Sequence, residues 1–502
     1  MLIRNLNHKS SMAKTKLLVM IVTTVFSFTS MSNAFFLKGY SAIPWFILSA
    51  LTYFVPYCFI IADLTTVYND KAGGIYSWLK DSTSQRLAFV TTLMWYSSYF
   101  IWMISLCMKT WIPLSIILFG DDFTKNNRVF GNIPMVMVIA LLSIFLIILI
   151  SLLKLGGFKK ILDLSFISGR FMLLLMGIVG IGAIISLIVN HGQLVESFQF
   201  NDLFKSQGKL QSSAENFSFF IFGITAFGGL DTVACLVNET GVLKKKFSKY
   251  VLISGAIIIC LYIFGIFLWG ASIDLKEMVN GNSLHLGNIM YGLIGQLSLN
   301  LGELLNLSKG ASNLLFQIFI RLTAVTIFTS YISLLSIIST GPLLAVTESL
   351  KETRLKKYLK WESKKKLPII PIIIQGFLLS IFILGISCFQ NSIGSFYNQL
   401  TMMTNISRAI PYLLLALSYP SFKKIYPRNS LLPFCDNRRN QLLLSFSVSI
   451  TVVISIFFSI YEKVSIEDYY SAATLIIGPI IFAIIGLILF DLAKGRGKVL
   501  YQ

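Results

Sequence analysis

A carboxylate follows closely after two adjacent glycines in one of the most apolar stretches of this chain. In FFIFGITAFGGLDTVACLVNE (219–239), Gly228 and Gly229 weaken the helix that the apolar residues would otherwise form, and Asp231 comes two residues later. A carboxylate costs roughly 2.5–3.5 kcal/mol in the middle of a bilayer, so such residues are usually retained for a function. Broken backbone offers free N–H and C=O groups to a charged solute, and Asp231 can exchange a proton.

A second apolar segment carries an unusual polar run, SFTSMSN (27–33). Its hydroxyl and amide side chains compete with the backbone for hydrogen bonds, which favours local unwinding. Small polar residues can instead serve only to let neighbouring helices approach closely. Because a break in this run would correspond to the glycine break at 228–229, we favour unwinding.

The elements that must position these residues are membrane helices. The 502 residues are 55% hydrophobic and 13% charged, with a mean hydropathy of +0.75, whereas soluble domains contain about 25% charged residues. A span needs roughly 20 apolar residues, and twelve segments qualify: 15–36, 41–67, 86–119, 132–152, 161–190, 213–238, 248–272, 311–347, 368–389, 393–420, 440–460 and 468–492. We expect an all-α polytopic membrane protein, with a possible short helix in the polar stretch 273–310.

The net charge of +20 is arranged in a way that predicts orientation. Lysines and arginines concentrate in alternate connecting segments, as the positive-inside rule requires, which places both termini in the cytoplasm of a cell with an inner plasma membrane. The basic connector 354–366 therefore suits anionic lipid better than nucleic acid. The first segment also resembles a cleaved signal peptide. Retaining it makes all twelve spans obey the charge rule, so we predict that it stays.

The two predicted breaks lie five spans apart. Because five is odd, two five-span repeats have opposite orientations in the membrane, and corresponding interrupted helices then mark a transport site. The predicted division is a tail at 1–14, a first repeat at 15–190, a second repeat at 213–420, two additional helices at 440–492 and a tail at 493–502.

The predicted site holds a zwitterion between the breaks. Half-helix N–H groups suit a carboxylate, and freed carbonyls suit an ammonium group. The predicted substrate-binding residues are Ser27, Thr29, Ser30, Met31, Ser32, Asn33, Ala226, Phe227, Gly228 and Gly229.

Several stretches resemble one known family. AFGGLDTVACLVNET (226–240) resembles the sixth span of the amino acid–polyamine–organocation superfamily. GYSAIPWFILSALTYFVPYCFIIADLTTVYNDKAGGIYSWL (39–79), FLWGASID (267–274) and FYNQLTMMTNISRAIPYLLLALSYP (396–420) are similar to its glutamate/GABA antiporter family, and most of all to the YjeM-like branch of inner-membrane transporters. The resemblance runs from about residue 14 to residue 491.

This resemblance implies a leucine-transporter-type fold, with discontinuous first and sixth helices, that exchanges or takes up amino acids without ATP. It implies a gating or proton-coupling role for the acid at Asp231, which is glutamate more commonly in the family. Glu239 closes the same span and, like Asp63, is expected in a gate or a structural pair. The usual glycine-rich break of the first span is replaced by TSMSN, so the substrate does not carry over.

Four further cations lie inside predicted spans. For Lys109 and Arg408 we favour side chains that snorkel toward the membrane surface or form structural pairs. Arg170 stands where some proton-coupled relatives carry a fixed cation in the fifth span, so it is a coupling candidate. Arg321 is a possible partner of Asp231.

The predicted function is a secondary amino-acid transporter, either an antiporter or a proton-coupled permease. The alternatives are a carrier of polyamines or other organic cations and a non-transporting sensor on the same fold. Three scattered histidines and the absence of a CxxC pair argue against an enzyme and a metal site. We expect no cofactor, no catalytic residue and no nucleic-acid partner. The expected partners are an amino acid or related zwitterion, protons and the lipid bilayer.

Overall fold

The structure is a computed structural model dominated by helices. It describes residues 15, 17–67, 74–125, 128–129, 133–155, 158–196, 203, 213–235, 244–275, 284–354, 356, 368–388, 393–427 and 432–494.

The first half of the chain forms eleven of the described α-helices. They are α1 (17–25), α2 (Phe28–Lys38), α3 (Ala42–Ser49), α4 (Val55–Val67), α5 (Ile75–Ser82), α6 (Gln85–Lys109), α7 (Trp111–Phe119), α8 (Met135–Leu155), α9 (Phe158–Val189), α10 (Ser213–Ala226) and α11 (Leu230–Cys235). A π-helical turn, Ala50–Phe54, joins α3 to α4 without interrupting the rod. A short antiparallel hairpin, β1 (Arg128–Val129) and β2 (Ile133–Pro134), precedes α8.

The second half continues the same architecture. Its helices are α12 (Lys244–Ser272), α13 (Ile289–Leu304), α14 (Lys309–Ile338), α15 (Gly341–Lys351), α16 (Ile369–Cys388), α17 (Ile393–Ile425), α18 (Arg438–Ser465) and α19 (Tyr469–Lys494). The short helix expected within 273–310 is α13. A two-residue turn separates α14 from α15, and a proline follows in the first turn of α15, where its missing N–H costs nothing.

Every predicted apolar segment contains helix, and the all-α membrane class is confirmed. Ten stretches of the described chain are long and apolar enough to cross a membrane. One of them, Leu17–Val67, covers two predicted segments, and the helix Ile393–Ile425 is not among the ten. The count of twelve spans therefore stays a prediction.

Burial separates interior helices from peripheral ones. Of the most apolar part of Phe217–Cys235, 89% is buried inside the protein, whereas the value is 22% for Ile369–Cys388 and for Tyr469–Ala493. The peripheral helices expose rows of Ile, Leu and Phe, as lipid-facing surfaces do. The helix that carries the glycine pair thus lies at the centre of the bundle, where broken backbone can be shielded from lipid.

The first segment is part of that interior. In α1, Leu17, Met20 and Ile21 are almost completely buried in the main hydrophobic core. This packing supports retention of the segment in the folded protein.

Candidate substrate-binding site

The first helix break lies between α1 and α2. Phe26 and Ser27 leave the helix, and Ser27 caps α2 by accepting a hydrogen bond from the Ser30 N–H at 3.2 Å. Unwinding was predicted over 27–33, but the structure unwinds only the start of that run. The residues 29–33 belong to the first turns of α2, because the Ser27 cap makes helix the favourable state for them.

The second break is a turn formed by Phe227, Gly228 and Gly229 between α10 and α11. Gly229 has a φ of +115°, a conformation that strains residues with a side chain. A Cβ added at Gly228 would lie 2.8 Å from the Arg408 Nη1 atom and 2.9 Å from the Tyr412 hydroxyl oxygen. The first glycine therefore permits close approach of side chains, and the second permits the turn.

A single tyrosine connects the two breaks. The Tyr262 hydroxyl of α12 accepts a hydrogen bond from the Ser27 N–H at 3.1 Å. The same oxygen lies 2.9 Å from the Ala226 carbonyl and 3.3 Å from the Val25 carbonyl, to either of which it can donate. One backbone group or more from each break is thus satisfied at this hydroxyl.

Asp231 lies in the first turn of α11 and is 0% exposed. It accepts hydrogen bonds from the Trp95 indole N–H and from the Tyr99 hydroxyl, which lies 3.0 Å from Oδ2. The Tyr412 hydroxyl lies 3.5 Å from Oδ1. Among the described residues, no lysine or arginine forms an ion pair with this carboxylate. Asp231 is therefore held by neutral donors alone.

A cavity of about 120 Å³ lies where the two breaks meet. Its volume is enough for several water molecules. Six of the predicted substrate-binding residues line it: Ser27, Thr29, Ser30, Asn33, Ala226 and Gly228. The Asn33 amide donates to the Leu286 carbonyl at 3.2 Å, while its side-chain oxygen has no partner among the described residues.

The other four predicted substrate-binding residues do not line this cavity. Met31 is buried against Gly265, and the Ser32 hydroxyl donates to the Phe28 carbonyl at 3.0 Å. The Phe227 ring stacks on Phe54 with a centroid separation of 4.5 Å, and Gly229 packs on α1. These residues pack around the breaks without lining the cavity.

Two cations line the cavity. Arg408 of α17 is 3% exposed and Lys109 of α6 is 8% exposed. The Arg408 guanidinium lies over the Trp102 ring, 3.8 Å from its centroid, and donates to the Thr225 carbonyl at 3.3 Å. Snorkelling is therefore wrong for both side chains, because they are buried at the centre of the bundle.

The remaining candidates lie elsewhere. Arg170 is exposed on α9, with its guanidinium 4.3 Å from the centroid of the Phe166 ring. Arg321 is exposed on α14, beside Gly120. Neither contacts Asp231. Glu239 lies outside the described residues.

Asp63 forms the structural pair that the sequence suggested. Its Oδ2 atom lies 3.2 Å from the Lys423 Nζ and accepts a hydrogen bond from the Tyr419 hydroxyl at 2.8 Å. Lys423 also pairs with Asp436 at 3.2 Å.

Sequence reasoning missed Tyr262, Tyr99 and Tyr412 as site residues. Each is a tyrosine in an apolar span, which by sequence alone is indistinguishable from an aromatic packed in the core. Trp95 was visible only as one of several tryptophans in its span. The glycine pair and Asp231 were detectable because they break the local pattern.

Comparison with known proteins identifies similar chains over almost the full length. The family model described as amino acid permease matches residues 15–490. The inner membrane transporter YjeM of Salmonella typhimurium is 32% identical over 481 residues, which is 96% of each chain. YjeM of Escherichia coli K12 is 32% identical over 478 residues, covering 95% of each chain.

A solved structure shares the fold. A manganese transporter from Eremococcus coleocola superimposes with a TM-score of 0.54 at 14% identity, covering 95% of both chains. Within the described ranges, no group of three or more His, Cys, Asp or Glu residues is arranged to hold a metal ion. The likeness is therefore one of architecture.

Proposed function

The chain belongs to the amino acid permease family, and we propose that it carries its substrate by alternating access through the cavity between the two helix breaks. It is a secondary amino-acid transporter in a membrane, similar over its length to inner membrane transporters. The observation that carries the proposal is the meeting of both breaks at one cavity, joined by the Tyr262 hydroxyl.

The substrate's α-carboxylate and ammonium group would both bind at the start of α2, to different groups. The carboxylate faces the first turn of α2, an eleven-residue helix whose N-terminal N–H groups and dipole favour an anion. The unpartnered Asn33 oxygen and the hydroxyls of Thr29 and Ser30 offer acceptors to the ammonium group.

The two breaks supply the moving parts. α1 and α2 are joined only by a short non-helical turn, and so are α10 and α11, so each half-helix can tilt without disrupting its partner's internal hydrogen bonds. The two five-helix repeats that contain them, 15–190 and 213–420, would rock against each other around the fixed cavity.

Asp231 is the proposed coupling residue. It lies one turn from the glycine break, and neutral donors are its only hydrogen-bond partners in the described structure. Gaining or losing a proton there changes the charge beside the break without a compensating ion pair. The exposed position of Arg170 supports no direct part in this step, so the proposal assigns coupling to Asp231 alone.

The proposal also covers the orientation of the chain in the membrane. The concentration of lysine and arginine in alternate connectors supports cytoplasmic termini in the inner membrane. We further propose that the substrate leaves chemically unchanged.

Substitution of the coupling residue provides the test. In proteoliposomes, Asp231→Asn should retain folding and amino-acid counterflow while losing the dependence of net uptake on a pH gradient. Glu303→Gln, which removes an exposed carboxylate on α13, is the matched control and should behave as wild type. Unchanged pH dependence in Asp231→Asn would refute the coupling role, and failure of the wild type to exchange any amino acid from a mixed pool would refute transport through this cavity.

The organic-cation alternative is disfavoured by charge. Two buried cations and no Asp or Glu occur in the described lining of the cavity. A polyamine would add further positive charge to that space, which like-charge repulsion opposes. Measurable flux in the same assay would exclude a non-transporting sensor.

A further inference from the structure

Arg408 is placed between the two parts of the proposed site, the cavity and the buried carboxylate of Asp231. Arg408 lines the cavity, whereas Asp231 does not. We propose that Arg408 is a positioning residue that couples the two: the carboxylate of a bound amino acid offsets the Arg408 charge, and Asp231 then takes up a proton. Substrate and proton therefore bind together, as symport requires. This inference rests on the proposed function and gives the sign of its coupling.

On the side of the cavity, Arg408 keeps hydrogen-bonding capacity. Its side chain is buried, and the guanidinium lies over the ring of Trp102, which also lines the cavity. A guanidinium has five N–H donors. In the described structure the Nε atom has no hydrogen-bond partner, and Nη1 donates to the Thr225 carbonyl. Arg408 therefore retains N–H donors for an anionic group of a ligand.

On the side of Asp231, one layer of tyrosines separates the two charges. The Arg408 guanidinium lies 5.6 Å from the centroid of the Tyr99 ring, and the Tyr99 hydroxyl donates to Asp231. Tyr412, one turn after Arg408 on α17, has its hydroxyl 3.5 Å from the Asp231 Oδ1 atom. The Arg408 charge acts on the Asp231 carboxyl electrostatically, although no ion pair joins them in the described structure. The interaction can therefore change without the rupture of a direct contact.

The two helix breaks bring the start of α2 to the same junction. Arg408 donates to the Thr225 carbonyl at the end of α10. The Tyr262 hydroxyl lies 2.9 Å from the next carbonyl, that of Ala226, and accepts from the Ser27 N–H at the start of α2. An α-carboxylate bound at the start of α2 therefore brings its negative charge to the junction where Arg408 lies.

The sign of the coupling follows from these charges. A bound carboxylate offsets part of the Arg408 charge, so the ionised form of Asp231 loses stabilisation and protonation is favoured. Because coupling is reciprocal, a proton on Asp231 also strengthens the binding of the carboxylate beside Arg408. An arginine keeps its own proton, so Asp231 remains the proton carrier.

The other titratable groups that face Asp231 are hydroxyls and a thiol, from Tyr53, Tyr57, Tyr99, Tyr412 and Cys235. Their ordinary pKa values are about 8.5 or higher, so they stay neutral in the acidic-to-neutral range. α15 also packs against α11, and its Glu348 and Lys351 pair with each other at 2.8 Å. Lys109 lines the cavity from α6. Within the described residues, Asp231 is therefore the group of this cluster that can change charge near neutral pH.

Proton uptake on binding is the direct measurement. The purified full chain, in weak buffer with a pH indicator dye, is mixed with each standard L-amino acid in turn, and thermal stabilisation reports which of them bind. For one that binds, we expect uptake of up to about one proton per bound molecule and an affinity that rises about tenfold as the pH falls through the titration of Asp231. Mixing without protein corrects for protons of the ligand itself.

A matched ligand isolates the carboxylate. The α-carboxamide of the same amino acid keeps the ammonium group but lacks the negative charge, so its binding should cause no proton uptake. Proton release, no change, or equal uptake for the amino acid and its carboxamide would each overturn the inference.

Variants locate the effect. Arg408→Gln should still bind the amino acid, but without proton uptake and with an affinity independent of pH, whereas Arg408→Lys should keep part of the uptake because it keeps the charge. Asp231→Asn should also bind without uptake. Arg321→Gln removes an exposed arginine outside the cavity and should behave as wild type. A merely structural Arg408 predicts lower stability in Arg408→Gln with unchanged uptake per bound molecule.

The outcomes separate this inference from the transport proposal. Unchanged uptake in Arg408→Gln, or uptake that persists in Asp231→Asn, would overturn the coupling while leaving transport intact. If Arg408→Gln does not fold, the comparison of amino acid and carboxamide in wild type still decides. Failure of the wild type to bind or exchange any amino acid would instead overturn the transport proposal, and this inference with it.

Discussion

Two fully buried carboxylates of this molecule are satisfied in opposite ways. Asp63 on α4 pairs with the Lys423 ammonium at 3.2 Å and with the Tyr419 hydroxyl. Asp231 on α11 is equally buried, but its hydrogen-bond partners are the neutral groups of Trp95, Tyr99 and Tyr412. Asp63 has an ion-pair partner, whereas Asp231 has none within ion-pair distance in the described structure.

The difference indicates which carboxylate can change state. Protonation of Asp63 would leave the Lys423 charge buried with only the partly exposed Asp436 as partner, which is unfavourable. Protonation of Asp231 breaks no ion pair, because no lysine or arginine is paired with it in the described structure. An ion pair across helix ends therefore suits a structural role, and a carboxylate held by neutral donors suits coupling.

The largest predicted effect comes from breaking the ion pair. Lys423→Met leaves Asp63 buried with a single hydroxyl donor, so we expect a loss of about 3–5 kcal/mol in stability. The midpoint of thermal unfolding in detergent, followed by tryptophan fluorescence, measures this. Lys424→Met, at the exposed neighbouring position, is the matched control.

A double variant sharpens this result. Asp63→Asn combined with Lys423→Met removes both charges, so it should be more stable than Lys423→Met alone. Equal midpoints for Lys423→Met and Lys424→Met would show that the pair contributes nothing.

A pair of tyrosine substitutions compares the two carboxylates directly. Tyr99→Phe and Tyr419→Phe each remove one hydroxyl donor from a buried carboxylate, a change of roughly 1.5–3 kcal/mol. We expect Tyr99→Phe to alter the pH profile of uptake, because it acts on the coupling residue. Tyr419→Phe should lower stability and leave that profile unchanged.

Uptake into proteoliposomes over an acidic-to-neutral series distinguishes the two. Each variant is the control for the other, since both replace a buried tyrosine of an apolar helix. Similar pH profiles for the two variants would remove the functional distinction between Asp63 and Asp231.

The sequence predicted features that violate a local pattern. The glycine pair and Asp231 interrupt an apolar helix, and the polar run at 27–33 interrupts another, so both breaks were located within a few residues. The extent of the first break was overestimated, because hydrogen-bonding side chains can cap a helix as well as unwind it, and Ser27 does the former.

The partners of these features could not be predicted. Trp95, Tyr99 and Tyr412 reach Asp231 from 132 to 181 positions away in the chain, and no local pattern encodes that encounter. For Lys109 and Arg408 the sequence favours snorkelling or a structural pair, because a sequence gives depth in a span but not the helix face that meets the interior. Only tertiary packing reveals that both face one cavity.

A third carboxylate, at the protein surface, is expected to have the smallest effect on stability. Glu352, just after α15, is partly exposed and joins α15 to α5 through the Lys80 ammonium at 2.6 Å and the Tyr76 hydroxyl at 2.8 Å. Desolvation acts to raise the pKa of Glu352, but hydrogen bonds from Lys80, Tyr76 and Gln85 outweigh it and hold the pKa below the ordinary value of 4.5. Its contribution to stability is therefore present above that value and is lost as the pH falls further.

Because solvent and salt screen an exposed pair, Glu352→Gln should cost less than about 1 kcal/mol near neutral pH, and the difference from wild type should vanish in acid and shrink in high salt. Unfolding midpoints across pH and salt measure this, with Glu348→Gln, which removes the Lys351 pair on the same helix, as the control. A loss as large as that of Lys423→Met would mean that burial does not set the strength of these pairs, and the large effect expected for the Asp63–Lys423 pair would then need a cause other than its exclusion from water.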